Sequence, residues 1–154
     1  SVTLGDETIR ARHWGPAHTG GDVSIHFEQA NVVHLGDLLN NRGYANVDGP
    51  AGASVHGWIQ VLEKMAAAYP ADALYVFGHA EAGHPFIGTR GDLHYQRDYF
   101  SAVVEMARRA RREGRTKEEL AKVEVLPKFE HHGGIKARLG IALTLAYDEL
   151  AGKP

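Results

Sequence analysis

The chain has 154 residues and a formal net charge of -2, with 44% hydrophobic and 23% charged residues. This length suits one domain with one core, and the balance is that of a soluble globular protein. The weak net charge gives no field to recruit nucleic acid, no apolar run is long enough for a bilayer span, and the lack of cysteine excludes disulfides, thiolate metal sites and a cysteine nucleophile.

Residues 1 to 36 read as β structure. Ser1-Val2-Thr3-Leu4 has β character at once and no initiator Met stands before it, so the expectation is a piece of something longer. After the turn at Gly5-Asp6, residues Thr8 to Trp14 alternate in character, and Val23 to Phe27 alternate apolar with polar, the period of a half-buried strand. Glu28 to Asn31 suits a hairpin connection, and Val32 to Leu35 a return strand ending at Gly36-Asp37. Residues 40 to 53, rich in Asn, Gly and Pro, read as a long loop, a type often functional or mobile. Ser54 caps a helix whose apolar face runs through Val55, Trp58, Val61, Leu62, Met65 and Tyr69 until Pro70 stops it. The continuous run Ala73 to Phe77 predicts a strand covered on both faces, ending at Gly78-His79. After a second loop (80 to 91), Asp92 is expected to cap a long helix reaching about Gly114. Its apolar face is Leu93, Gln96, Phe100, Val103, Val104 and Ala107, and its Arg108 to Arg112 run is a solvated face. Thr116 to Glu119 has the form of a capping box for a short helix. Gly133-Gly134 lead into a last helix with Ile135, Leu139, Leu143, Ala146 and Leu150 at helical spacing. No repeat or linker divides the chain, so residues 1–154 are expected to form a single domain.

Three strand ends carry metal-capable residues: His18 in Gly15 to Asp22, Asp37 in His34 to Leu39, and His79 in Phe77-Gly78-His79. In a layered α/β architecture such loops gather on one edge of the sheet, where ligands bind. Imidazole and carboxylate without thiolate suit zinc, and also iron or manganese. Tyr44 and Asn46, in the loop after Asp37, and His84, in the loop after His79, are the candidates for substrate contact, against a role as ordinary loop filler. His13, His26 and His34 read as sheet-face or solvent residues. Adjacent residues point in different directions, so His131 and His132 read as part of the loop before the last helix rather than as a cluster.

The series Pro16-Ala17-His18-Thr19-Gly20-Gly21-Asp22, strand-Gly36-Asp37-Leu38-Leu39 and strand-Gly78-His79 is similar to the second half of the metallo-β-lactamase superfamily, over residues 8 to 80. The resemblance implies an α/β layered fold. Residues 1–91 would be the C-terminal half of an αββα sandwich, its sheet packed by helices, and residues 92–154 a helical extension. It implies His18 on one metal, Asp37 bridging two, and His79 on the second, with two zinc ions per complete site. Two departures stand out. The family's His-x-His-x-Asp-His motif is absent, which implies a missing N-terminal half and leaves no catalytic residue to assign here, and Ala80 replaces the usual Gly. Asp37 at the bridging position resembles the glyoxalase II, lactonase, phosphodiesterase and alkylsulfatase branches rather than penicillin-cleaving enzymes. The implied parent activity is metal-assisted hydrolysis of an ester, thioester, lactone or phosphoester in a small molecule, the fragment itself being inactive. The alternative is a non-catalytic half-domain acting as an assembly module. Either way an uncovered sheet face predicts a homodimer or association with the missing N-terminal half. No membrane partner is expected, and the composition of a soluble protein fits a cytoplasmic or a periplasmic location equally.

Overall fold

Alternation in the first third of the chain builds a sheet. In the computed structural model, which describes residues 1–152, these segments form four antiparallel strands: β1 (Val2–Leu4), β2 (Glu7–His13), β3 (Val23–Phe27) and β4 (Val32–His34). They are followed by β5 (Asn40–Asn41), α1 (Val55–Ala68), β6 (Leu74–Val76), β7 (His79–Ala80) and β8 (Ile87–Gly88). Three helices complete the described chain: α2 (Arg90–Arg112), α3 (Lys117–Leu120) and α4 (Ala137–Glu149). The main sheet has the order β1-β2-β3-β4-β6-β8. Helix α1 is the crossover that lets β6 join β4 in parallel, and β8 returns antiparallel to β6. Strands β5 and β7 form a separate parallel pair.

The helices follow their caps. The Ser54 hydroxyl accepts the Gly57 N–H at 2.8 Å, and α1 buries Val55, Trp58, Val61, Leu62 and Met65. Helix α2 begins three residues before the expected point. Thr89 is its cap, and Asp92 is the reciprocal member of the capping box, accepting the Thr89 N–H at 3.0 Å. Helix α4 starts only at Ala137, which leaves Ile135 outside it and exposed. The Glu149 carboxylate at the far end of α4 accepts the Val55 and His56 N–H groups at 2.9 and 3.1 Å, placing an anion at the start of α1. One continuous core runs from Trp14 through α1 and α2 to Ala146, so α2 and α4 pack into the same body as the sheet. No helix among the described residues is long and apolar enough to cross a membrane.

The two faces of the sheet differ. Ser24, Val33, Tyr75 and Phe77 are buried on the helix side. On the other side, register aligns Val2, Ile9, Phe27, Val32 and Leu74 in one row across five strands, and Ala11, Ile25, His34, Val76 and Ile87 in a second. This side is open: Val23 is 47% exposed, Leu74 44% and Ile87 49%. The expectation that Ala73 to Phe77 is covered on both faces is therefore corrected. Its odd positions are buried under helices, and its even positions look out from an uncovered face.

Candidate functional site

The chain leaves β2, β4 and β6 along one edge of the sheet, and the three metal-capable residues lie there. His18 follows β2 in a loop fixed by its neighbours. The Ser54 N–H donates to the Ala17 carbonyl at 3.0 Å, and the Asp48 N–H donates to the His18 carbonyl at 3.2 Å. Gly57, in the first turn of α1, touches this loop so closely that a Cβ would overlap the Pro16 carbonyl oxygen. The His18 ring meets Trp58 edge-on at 5.9 Å between centroids, with its Nδ1 3.3 Å from Asp22 Oδ1. Asp22 is itself held, accepting the Thr19 N–H at 2.8 Å and the Thr19 hydroxyl at 3.1 Å.

Asp37 sits in a 3-10 turn, Gly36–Leu38, directly after β4. Two buried donors hold this turn: Trp58 Nε1 and Gln96 Nε2 reach the Leu38 carbonyl at 3.0 and 2.9 Å. Gln96 also accepts the Asn40 N–H at 2.9 Å, so one α2 side chain satisfies both sides of the turn. His79 opens β7 and pairs with Asn40, and the Glu81 N–H donates to the Asn41 carbonyl at 2.9 Å.

The three residues meet through the carboxylate. Asp37 Oδ1 lies 2.8 Å from His79 Nε2, and Asp37 Oδ2 lies 3.9 Å from His18 Nδ1. His18 is largely buried, whereas the side chains of Asp37 and His79 are 46% and 62% exposed. Among the described residues, no group of three or more His, Asp or Glu side chains is gathered tightly enough to hold an ion alone. The donors are of the right chemistry for zinc, iron or manganese, but they form a carboxylate with one imidazole at each oxygen. Such an arrangement fits a bridging position with one flanking ligand on each side. Ions there would need further ligands.

The other candidates fall elsewhere. Tyr44 is buried, packs beside Tyr99 and His132, and donates its hydroxyl to the Glu124 carbonyl at 3.2 Å. Burial, and then the Glu130 charge, raise its pKa. The expected substrate contact for Tyr44 is corrected to a core role, because its ring has no free surface. The segment from 40 to 53 is likewise no passive loop: Asn41, Ala45 and Val47 are buried with Tyr44. Asn46 is partly buried, and His84 is exposed in the turn after β7; no hydrogen bond joins either side chain to the trio among the described residues. His131 and His132 do not diverge as expected. Their Nε2 atoms both meet the Tyr95 hydroxyl, at 2.6 and 2.8 Å. The supporting residues Asp22 and Gln96 were not singled out from sequence for the site. The visible signal for Gln96 is an amide on an otherwise apolar helix face, and for Asp22 its place four residues after His18.

No curated protein matches the chain. The profile of the Metallo-beta-lactamase superfamily matches residues 1–110. Among solved structures, a metallo-beta-lactamase from Pontibacter korlensis is 19% identical, with a TM-score of 0.55 over 65% of this chain and 44% of that one. The DIM-1 metallo-beta-lactamase exposed to ceftazidime is 17% identical, with a TM-score of 0.53 over 65% of this chain and 43% of that one. A double mutant of the sec-alkyl sulfatase PisA1 is 18% identical, with a TM-score of 0.67 over 96% of this chain and 24% of that one. At these identities the likeness is one of fold, and the chain spans less than half the length of each of these structures. The profile match over residues 1–110, on a mixed sheet packed by helices, establishes that the chain belongs to the metallo-beta-lactamase superfamily.

Proposed function

We propose that this chain contributes the His18, Asp37 and His79 side of a dinuclear zinc centre in a metal-dependent hydrolase, the remaining ligands coming from polypeptide beyond it. The observation that carries the reading is the Asp37 carboxylate, whose two oxygens each face a different imidazole. Asp37 would lie between the ions, with His18 on one side and His79 on the other; iron or manganese suits the same donors. The His18 Nδ1 that faces Asp37 also lies 3.3 Å from Asp22 Oδ1, so Asp22 orients the His18 ring at this edge. When bound, the metal would lower the pKa of a water and stabilise the negative charge that develops on the substrate. A small-molecule ester, thioester, lactone or phosphoester is the proposed substrate class. The likeness to a sec-alkyl sulfatase, which reaches through the helical part of this chain, adds a sulfate ester to that class.

Zinc titration calorimetry of the chain at pH 7.5 tests the reading. The expected result is binding that weakens at least tenfold in both His18→Ala and His79→Ala; binding that neither substitution alters would overturn it.

The open sheet face supports a second, compatible reading. A row of apolar side chains across five strands is unusual on a solvated surface, and it suits a complementary sheet. We propose that a complementary half of the sandwich, supplied by further polypeptide or by a second copy of the chain, covers this face, and that the chain acts only once so assembled.

A further inference from the structure

The loop before α4 touches the platform that carries His79. Gly133 N–H donates to the Arg42 carbonyl at 3.1 Å, and Tyr44 N–H donates to the Gly133 carbonyl at 3.1 Å, forming a parallel bridge between Gly43 and Gly133. Strand β5, just before that bridge, pairs in turn with β7, so three backbone tiers stack as 133, 40–44 and 79–81. Glu81 also folds its side chain over Gly133, filling the space where a Cβ would sit.

A side-chain anchor holds the outermost tier. The His132 ring is only 8% exposed and stacks on Tyr99 with centroids 4.8 Å apart. Its Nε2 and that of exposed His131 share the Tyr95 hydroxyl, at 2.8 and 2.6 Å. The Arg42 guanidinium covers the Tyr95 ring at 3.5 Å. His132 Nδ1 is buried with no partner. An orphaned N–H donor there would carry its full desolvation penalty, and an orphaned lone pair is the milder of the two defects. The proton therefore belongs on Nε2. A phenol oxygen that accepts from His132 must send its own hydrogen to the other ring.

We propose that Tyr95, His131 and His132 are positioning residues for His79, acting as a clamp of neutral side chains in which His132 Nε2–H donates to the Tyr95 oxygen and the Tyr95 hydroxyl donates to His131 Nε2. The two adjacent histidines then hold opposite tautomers, with His131 protonated at Nδ1 toward solvent. The surroundings favour the neutral His132 ring. Burial above all, and then the cations or potential cations His131, Arg42 and His84, lower its pKa to about 4. Tyr44, Tyr95 and Tyr99 pack around it, and burial raises the pKa of each of these phenols. Glu130, the nearby carboxylate on the same loop, is turned to its own backbone and to Lys128 N–H at 3.0 Å. The importance of His79 rests on the metal-centre reading; the clamp itself does not.

The test is a long-range proton–nitrogen correlation spectrum of the metal-free chain at pH 8, together with amide exchange. His132 should be protonated at Nε2 and His131 at Nδ1. In Tyr95→Phe, which keeps the ring under Arg42, exchange of the Gly133 and Tyr44 amides should rise about tenfold. The His79 ring signals should shift in that variant while those of His18 stay in place. His131→Ala, at an exposed position, should produce a smaller change of the same kind. The same Nε2–H tautomer on both rings, or unmoved Gly133 and His79 signals in Tyr95→Phe, would overturn the clamp. Because no metal is present, this outcome is independent of zinc titration, on which the metal-centre reading stands or falls.

Discussion

Gly78 donates its N–H to the Gly36 carbonyl at 2.8 Å, and a side chain on Gly78 would begin 2.5 Å from that carbonyl and 2.9 Å from Asp37 Oδ1. The Asp37 and His79 loops meet in van der Waals contact only because that side chain is missing. Gly78→Ala must push the two backbones apart, at a cost of about 1–3 kcal/mol by the usual range for overpacking. Chemical denaturation should show that loss, and zinc titration should show weaker binding than the loss of stability alone explains.

Gln96 is a buried amide that holds both ends of the Asp37 turn. Gln96→Leu keeps the bulk and removes both bonds. The Leu38 carbonyl retains Trp58 as donor, but the Asn40 N–H is left without its partner. The expected loss is about 1–3 kcal/mol, measured by urea unfolding, because a buried unpaired donor carries its desolvation penalty. A loss confined to a few tenths would mean that the turn is held by Trp58 alone.

Where apolar spacing meets a capping residue, the sequence was legible. Ser54 and the Val55–Met65 stripe predict α1 as it stands, and Thr116 predicts α3. Asp92 is a plausible cap for α2 in isolation, and only the reciprocal bond to Thr89 shows that it is the partner of the cap. His18, Asp37 and His79 were legible as residues on one sheet edge, since strand ends fix where loops emerge. The pairing of each imidazole with a separate carboxylate oxygen was not, because rotamers and the 3-10 turn decide it. Tyr44 shows the opposite failure. A polar-tipped ring in an Asn- and Gly-rich segment reads as a surface residue, yet contacts from α2 and from the loop before α4 bury it. Tertiary partners more than 50 residues away have no local signal.

His132 gives the fold a predictable response to acid. Burial, then the charges of His131, Arg42 and His84, lower its pKa to about 4 from the ordinary 6.5. Between those values the unfolded chain binds a proton that the folded chain does not, so stability is full above pH 6.5 and falls as the pH drops toward 4. The whole effect is at most about 3 kcal/mol. Urea unfolding from pH 7.5 to 4.5 should show a slope that His132→Phe reduces; an equal slope in both proteins would assign the acid response to other groups.

The open sheet face should make the chain associate. Leu74 and Val23 project from it at 44% and 47% exposure. Sedimentation at micromolar concentration is expected to show species heavier than a monomer, and Val23→Lys with Leu74→Lys to return the chain to monomer. Neither position packs in the core, so the double variant should unfold cooperatively within about 1 kcal/mol of the parent chain.

The most direct measurement is anomalous diffraction at the zinc edge from crystals of the chain grown with zinc. A peak is expected about 2.0–2.2 Å from His79 Nε2 and from an Asp37 carboxylate oxygen, lost in Asp37→Asn. A peak at other histidines with none beside Asp37, or Asp37 and His79 side chains turned apart in the metal-loaded crystal, would rule out a shared metal site.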